Sequence, residues 1–184
     1  ITSIRDIHRQ LELEFKQELS IGVCHPGVHS PQTGLVKNVP NITWLEKKPF
    51  QNDLRKALGK EVFCENDANC FALAESFMGA GKKYSFVFGV IMGTCCGCGF
   101  IHNGELRTGT QRLAGEWGHT VINPKGPKCC CGKKGCVSSY ISGTGLEEML
   151  YENWKIKVSA ENVLNQSKYS NQEEDILNKM YEYY

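Results

Sequence analysis

The sequence lacks a long apolar run, an excess of charge of either sign, internal repeats and low-complexity tracts. No stretch approaches the roughly 18 consecutive apolar residues that a membrane span requires, so a membrane protein is not expected. Lysine and arginine total 21 against 20 aspartate and glutamate, which leaves a net charge of +1. Such a balance provides no electrostatic footprint for nucleic acid or an anionic membrane, and neither is predicted as a partner. No secretory leader opens the sequence, and we expect a cytoplasmic protein.

What the sequence does have is an ordinary globular composition and many cysteines. Hydrophobic residues make up 41% and charged residues 22% of its 184 residues, as in globular proteins of one or two domains. Ten of them are cysteine: Cys24, Cys64, Cys70, Cys95, Cys96, Cys98, Cys129, Cys130, Cys131 and Cys136. Tight cysteine clusters without a secretory signal favour a metal site or reduced thiols over disulfides.

The apolar pattern predicts alternating helices and strands. Apolar residues recur at three- and four-residue steps between Ile4 and Phe15, which predicts a helix. Further on, the pattern predicts a helix over 50–58 and strands over 61–64 and 86–92. The near-continuous apolar run over 86–92 is typical of a strand covered on both faces. Alternation of this kind indicates the α/β class.

The strongest single motif is His119 followed by Cys129, Cys131 and Cys136. One imidazole and three thiolates form a closed tetrahedral set of the kind that binds structural zinc. Cys130 lies between two of these residues, so its side chain is expected to point away from the ion. Reduced free thiols are the alternative interpretation.

A glycine-rich turn, Gly93 to Gly99, directly follows the apolar strand. Phosphate binding needs exposed backbone N–H groups and close approach, both of which glycine permits. By itself the pattern fits a tight hairpin equally well, so the residues leave both interpretations open.

Asn66 and Asp67 stand where a predicted strand meets a predicted helix. Either residue could cap that helix. The functional interpretation is a carboxylate at the edge of a cleft that accepts a proton from a substrate hydroxyl. The spacing alone does not decide between them.

In this order, the segments resemble the ROK family (repressor, open reading frame, kinase) of sugar kinases. The resemblance runs from about Ser20 to Leu150 and rests on Pro26-Gly27, Glu65 to Asn69, the turn at Gly93, Gly115 to His119 and the cysteine loop. The stretch from Ser30 to Asn38 and the tryptophan between Glu116 and Gly118 look most like bacterial fructokinases. N-acetylglucosamine kinases are a close second.

The resemblance implies an actin-like ATPase (ribonuclease H-like) fold in which two α/β domains close over a cleft. Residues 1–67 would be the rest of a smaller N-terminal domain, and 68–184 part of a larger one that carries the zinc loop, 119–136. The implied activity is ATP-dependent phosphorylation of a hexose, with fructose first and N-acetylglucosamine or glucose as alternatives. The same analogy implies a homodimer.

The resemblance also implies roles for residues that contact the sugar. Asp67 would be the general base that activates a sugar hydroxyl. Gly27, Asn66, Glu116 and His119 would hold the sugar, and His119 would use one ring nitrogen for zinc and the other toward the sugar. Zinc on His119 and the three cysteines would brace this sugar-binding loop.

For the nucleotide, the resemblance implies that Gly93, Thr94 and Gly97 belong to the second phosphate loop, around ATP with Mg²⁺. Phosphoryl transfer depends mainly on positioning and charge neutralisation, so one carboxylate and a phosphate cradle are the core that this reaction is expected to use.

The sequence departs from the family at several points. The family's Asp-x-Gly-Gly-Thr phosphate loop and its later Gly-Gly adenosine motif are both missing, so we expect an incomplete chain that does not bind ATP normally. Cys95 stands where the family has glycine, and Ser138 where its kinases have a sugar-binding glutamate. A hydroxyl cannot make a carboxylate's bidentate contact with two sugar hydroxyls. A non-catalytic sugar-binding or regulatory relative is therefore the alternative of another class, and a zinc-braced domain without a ligand is a third.

Overall fold

The computed structural model describes residues 2–39 and 42–163, and its elements confirm the α/β class. The helices are α1 (Thr2–Phe15), α2 (Phe50–Leu58), α3 (Asp67–Phe77), α4 (Ser138–Ile141), α5 (Gly143–Trp154) and α6 (Ala160–Val163). The strands are β1 (Ile21–His25), β2 (Val28–His29), β3 (Val36–Lys37), β4 (Val62–Asn66), β5 (Phe86–Met92), β6 (Cys96–His102) and β7 (Glu105–Leu106). A 3-10 helix covers Glu116–His119. Within the described ranges no helix combines the length and the apolar character that crossing a membrane demands.

The described residues form two compact units. The first unit contains the described residues of Ile1–Ile91 and Gly97–Trp117. The second contains the described residues of Met92–Cys96 and Gly118–Tyr184. The domain boundary expected at residue 67 comes from the family resemblance and stays a prediction. Its second domain, 68–184, extends beyond the described residues.

In the first unit, β1 and β4 run parallel, with Ile21 opposite Val62 and His25 opposite Asn66. This pairing brings the carboxyl ends of both strands, which carry the polar residues, to the same edge. Leu54 from α2 packs with Ile21 and Val62 in the adjoining core cluster. Burial of these apolar side chains, each favourable by roughly 1.5–3 kcal/mol, holds the strand pair in place.

Helix α3 lies against β5 and β6 through residues with little or no side chain. A Cβ added to Gly89 would stand 2.8 Å from the Ala72 Cβ, and one added to Gly99 would stand 2.6 Å from it. Because no larger residue fits, glycine in the strands and alanine in the helix allow the backbones to approach closely. The strand predicted over 86–92 is thereby confirmed as β5. The expectation that both its faces are covered is wrong within the described residues, since Phe86 is 56% exposed and Phe88 41%.

In the second unit, α5 begins at Gly143 because the Ser142 side chain caps it, accepting a hydrogen bond from the Gly145 N–H at 3.1 Å. Leu150 of α5 and Val163 of α6 are the buried members of its apolar cluster. The loop before α4 carries the cysteine cluster, and an isolated bridge between Val121 and Cys136 ties its two ends together.

Candidate functional site

The junction of β4 and α3 places Asp67 at the first position of a helix. The Asn66 side chain caps this helix, accepting hydrogen bonds from the Ala68 N–H at 3.0 Å and the Asn69 N–H at 3.2 Å. Asp67 also accepts a hydrogen bond from the Ala68 N–H, at 2.9 Å. The cap is therefore Asn66, and Asp67 presents an exposed carboxylate at the positive end of the helix dipole.

Asn66 also holds the turn between β1 and β2. Its side-chain amide donates to the Gly27 carbonyl at 3.1 Å. Gly27 has φ of +77°, and a Cβ there would lie 2.6 Å from the Lys37 carbonyl oxygen, so the turn requires glycine. The structure thus brings together three predicted site residues of the first unit: Gly27, Asn66 and Asp67.

Glu116 begins the 3-10 helix, directly after a point of close backbone contact. A Cβ on Gly115 would collide with the Cys98 carbonyl oxygen and lie 3.4 Å from the Asn69 Oδ1. Asn69 lies in the first turn of α3 and donates to Glu65 at 3.0 Å. Since Gly115 lies close to Asn69, the segment that leads into Glu116 runs beside the start of α3. Glu116 is half-buried there.

The cysteine loop of the second unit brings all four predicted metal ligands together. The ligand atoms of His119, Cys129, Cys131 and Cys136 lie within 4.8 Å of one another. The Cys129 Sγ is 3.4 Å from His119 Nδ1, and the Cys131 Sγ is 3.7 Å from the Cys136 Sγ. A tetrahedral zinc site with ordinary bond lengths has edges of about 3.6 Å between nitrogen and sulfur and about 3.8 Å between two sulfurs. These residues fit the ion, and Nδ1 is the His119 nitrogen that faces it.

The thiols of this cluster interact strongly with one another. Burial opposes ionisation of Cys129, but hydrogen bonds from Cys131, His119 and Cys136 outweigh it and lower the pKa of Cys129 to about 6. Burial and the neighbouring sulfurs raise the pKa of Cys136 to about 12. Binding of a metal requires each thiol ligand to lose its proton, so the lowered pKa of Cys129 favours a ligand role and the raised pKa of Cys136 opposes one until the metal is bound.

Backbone geometry shapes the loop around these ligands. Gly135 has φ of +65°, and a Cβ there would collide with the Asn123 carbonyl. The Gly135 N–H donates to the Pro127 carbonyl at 2.7 Å, and the Cys129 N–H to the Lys133 carbonyl at 2.8 Å. The exposed Cys130 is not one of the four clustered residues, as its position between two ligands predicts.

The glycine-rich turn is shorter than its sequence pattern indicates. Only residues 93–95 form the bend, and Gly97 lies in β6, where a Cβ would stand 3.3 Å from the Ala68 Cβ. Packing against α3 explains this glycine, and a role for Gly97 in nucleotide binding stays a prediction. Gly93 is different, since a Cβ there would meet nothing within 4 Å.

The bend at Gly93 and Thr94 is held by the start of α5. The Gly143 N–H donates to the Gly93 carbonyl at 2.8 Å, and the Thr144 hydroxyl donates to the Thr94 carbonyl at 2.6 Å. A cavity of about 660 Å³ adjoins these residues and extends to Val163. Its size is in the range of cavities that hold small molecules.

Sequence reasoning missed two buried histidines, His25 and His29, which are 4% and 6% exposed. Their Nε2 atoms lie 2.9 Å apart across the Pro26-Gly27 turn. The signal that could have found them is a Pro-Gly pair between two nearby histidines, because a turn at Pro26-Gly27 brings the residues on either side of it close together.

Comparison with known proteins agrees with these features. The chain matches the ROK family over residues 1–184. It is 38% identical over 166 residues to an N-acetyl-D-glucosamine kinase of Haemophilus influenzae, covering 84% of this chain and 54% of that protein. It is 37% identical over 135 residues to a glucokinase of Thermotoga maritima, covering 73% of this chain and 43% of that protein. The chain thus spans about half the length of the curated relatives it matches.

Solved structures show the same relationship. The ROK hexokinase of Thermus thermophilus superposes with a TM-score of 0.79 at 27% identity, covering 96% of this chain and 59% of that one. A ROK glucokinase of Streptomyces griseus, solved with glucose and AMPPNP, gives 0.67 at 30% identity, covering 82% of this chain and 49% of that one. These relatives support the alternatives of N-acetylglucosamine and glucose, while the expectation of fructose finds no support in them. The chain therefore belongs to the ROK family and has part of the actin-like ATPase fold of its sugar kinases.

Proposed function

We propose that the whole protein transfers the terminal phosphoryl group of ATP to a hydroxyl of a hexose, either N-acetylglucosamine or glucose. Membership of the ROK family and the relatives named as kinases of these two sugars support the reaction. The observation that carries the proposal is the exposed carboxylate of Asp67 at the first position of α3, where Asn66 is the cap and Asp67 uses only Oδ1 to accept from the Ala68 N–H.

In this mechanism Asp67 is the general base. Its carboxylate accepts the proton of the sugar hydroxyl while the hydroxyl oxygen bonds to phosphorus and the bond to the departing ADP breaks. Asp67 occupies the first position of α3. Asn66 fixes the start of this helix and thereby the position of the carboxylate.

Sugar binding is proposed for Gly27, Asn66, Glu116 and His119. The hydrogen bond from the Asn66 amide to the Gly27 carbonyl joins the turn after β1 to the start of α3, so both lie at the same polar edge of the first unit. Glu116 supplies a second carboxylate that can accept hydrogen bonds from hydroxyls. His119 binds through Nε2, since its Nδ1 faces the cysteines.

Nucleotide binding is proposed at the bend of Gly93 and Thr94. Open space above Gly93 allows a phosphate to approach the backbone, and the cavity beside the bend offers room for the rest of the nucleotide. Mg²⁺, held mainly by the phosphates, would neutralise charge that develops during transfer.

The zinc proposed for His119, Cys129, Cys131 and Cys136 is structural. Four protein ligands close the coordination sphere, whereas catalytic sites keep a position for water or substrate. Bound zinc would supply folding free energy to the loop and fix the orientation of the His119 ring.

One observation favours a non-catalytic sugar-binding relative instead. Ser138, where the resemblance leads us to expect glutamate, is 4% exposed, and its hydroxyl accepts a hydrogen bond from the Cys96 N–H at 3.2 Å. The Ser138 hydroxyl therefore binds the backbone at Cys96, the residue after Cys95. If the missing carboxylate is essential, sugar would bind weakly or turnover would be absent.

The test is phosphoryl transfer by the full-length protein, assayed with N-acetylglucosamine, glucose and fructose. Asp67→Asn should lower kcat by about 10²–10⁴-fold while calorimetry shows sugar binding largely retained. Asp53→Asn, which alters another aspartate in the first turn of a first-unit helix, is the matched control and should leave kcat unchanged. Unchanged turnover in Asp67→Asn would contradict the base assignment. Sugar binding without turnover in the unaltered protein would support the non-catalytic alternative.

A further inference from the structure

The buried pair His25 and His29 has a hydrogen-bond pattern that only an extra proton satisfies. His25 Nδ1 lies 2.8 Å from the Pro26 carbonyl oxygen, and His29 Nδ1 lies 3.1 Å from the Gly34 carbonyl oxygen. A carbonyl oxygen only accepts, so both Nδ1 atoms carry hydrogen. The two Nε2 atoms lie 2.9 Å apart, and a contact at this distance needs one hydrogen between them.

Two neutral imidazoles carry two ring N–H hydrogens in total, whereas this arrangement needs three. We propose that His25 and His29 together hold one proton more than two neutral rings, shared between their Nε2 atoms, and that this bridge positions the sugar-binding turn. The pair then carries one positive charge. Its rings meet edge to face, with centroids 4.7 Å apart and an interplanar angle of 88°.

Burial and nearby charges act on the protonation of His29. Burial is the main cause that lowers the pKa of His29; His25 and Arg112 lower it further, while the hydrogen bond to Gly34 and the charge of Glu65 raise it. A positive charge localised on the His29 ring is therefore disfavoured. Opposing charges face the pair from two elements: Glu65 from β4 attracts its proton, and Arg112, before the 3-10 helix, repels a second one.

Phe50 of α2 and Lys37 of β3 lie on two further elements next to the pair. Phe50 of α2 contacts the His25 ring at a centroid distance of 5.6 Å. Lys37 of β3 stands opposite Val28 in the β2–β3 register. With the pair buried against Phe50, water cannot replace a lost N–H···N contact at full strength, so the bridge is sensitive to its proton count.

The bridge closes the turn on which the proposed sugar site depends. His25 ends β1 and His29 ends β2, and between them the Gly27 carbonyl accepts from Asn66, the cap of α3. Loss of the shared proton would set two nitrogen lone pairs against each other at 2.9 Å and loosen this turn. His25 and His29 are thus positioning residues that act through Gly27 and Asn66, and their effect on sugar binding rests on the proposed function.

The proton count can be measured directly on the full-length protein labelled with ¹⁵N-histidine. NMR should show both rings protonated at Nδ1 and one strongly deshielded hydrogen coupled to the Nε2 atoms of both. A neutral ring with an unprotonated Nδ1 in either residue would overturn the proposal. This measurement needs no sugar and no turnover, so it decides the bridge even if the proposed kinase function fails.

The positioning role is tested by sugar affinity as a function of pH, measured by calorimetry without nucleotide. His29→Leu removes the bridge and should weaken sugar binding about tenfold near neutral pH, the effect of one lost charged hydrogen bond. In the unaltered protein, affinity should fall as pH rises through loss of the shared proton. His29→Gln, whose amide can bridge without an added proton, should retain affinity and lose this alkaline dependence.

His102→Gln is the matched control, because His102 lies on β6 of the same unit outside the bridge and its side chain is exposed. It should keep both the affinity and the pH profile of the unaltered protein. An alkaline limb that persists in His29→Gln would overturn the role of the pair even if NMR finds the shared proton. In an enzyme assay the variants should change KM more than kcat.

Discussion

Asn66 donates its side-chain amide to the Gly27 carbonyl at 3.1 Å while its side-chain oxygen caps α3. One side chain therefore joins the turn after β1 to the helix that begins with Asp67. The two functions of Asn66 use different atoms, so substitutions can separate them.

Asn66→Asp should keep the cap and lose the link to the turn. Aspartate caps helices as well as asparagine does, but it has no N–H to offer the Gly27 carbonyl. We expect the variant to fold with a stability close to that of the unaltered protein and to bind sugar more weakly. Asn66→Ala loses both functions and should lower the free energy of unfolding by about 1–2 kcal/mol, measured by denaturant titration. Equal stability of Asn66→Ala and the unaltered protein would show that the cap contributes nothing.

Gly27→Ala should destabilise the first unit through both strain and collision. The residue has φ of +77°, and the added Cβ would lie 2.6 Å from the Lys37 carbonyl oxygen and 2.7 Å from Val39 Cγ1. We expect a loss of about 3 kcal/mol or more in the free energy of unfolding. Gly59→Ala is the control, since φ is +66° there and no atom lies within 4 Å of the added Cβ. It should cost about 1 kcal/mol, and equal losses at the two positions would argue against the collision.

Zinc should be present at about one equivalent per chain, as measured by metal analysis of protein purified without chelators. Cys131→Ser should lower the zinc content and the melting temperature, because a hydroxyl replaces a ligand thiolate. Cys130→Ser is the matched control, one residue away and outside the cluster, and should retain both. Full zinc content in Cys131→Ser would refute the ligand set.

Ser138→Glu should tighten sugar binding if the remainder of the site is built as in the family. The new carboxylate could make the two hydrogen bonds to sugar hydroxyls that a serine cannot. Ser138→Gln has a similar shape without the charge, so a gain restricted to glutamate identifies the carboxylate as the cause. Both variants lose the acceptor of the Cys96 N–H, which makes their difference in affinity the informative measurement. Equal affinities for the two would argue that no sugar hydroxyl reaches this position.

Much of the local structure could be predicted because it depends on neighbouring residues. The helix over 50–58 and the strand over 86–92 follow from apolar spacing, and Phe50–Leu58 and Phe86–Met92 have the bounds that the pattern indicates. Asn103 and Gly104 connect the antiparallel strands β6 and β7, and the positive φ values that an Asn-Gly hairpin turn requires are 53° and 76° there. The spacing of Cys129, Cys131 and Cys136 likewise limits how far these three residues can separate.

Prediction failed where a residue's role depends on a distant element. The glycine-rich turn predicted over 93–99 covers only residues 93–95, and Gly97 lies in β6, where a Cβ would stand 3.3 Å from the Ala68 Cβ of α3. Its role in nucleotide binding stays a prediction. Exposure of Phe86 and Phe88 could not be read from a continuous apolar run, because the same run fits a strand with one uncovered face. The choice of fructose rested on similarity of short segments, and sugar preference depends on contacts such segments do not define.

The sequence by itself determined the α/β class, the family and the residues able to carry its chemistry, because motif order and apolar periodicity are properties of the linear chain. Only the tertiary structure decided which of Asn66 and Asp67 caps α3, that the side chains of His119 and the three cysteines of its motif lie within 4.8 Å of one another, and that His25 and His29 face each other across a turn. Each of these depends on the positions of atoms brought together by parallel strand pairing and loop closure. A hydrogen bond or a metal site exists only where donors and acceptors converge to within a few tenths of an ångström.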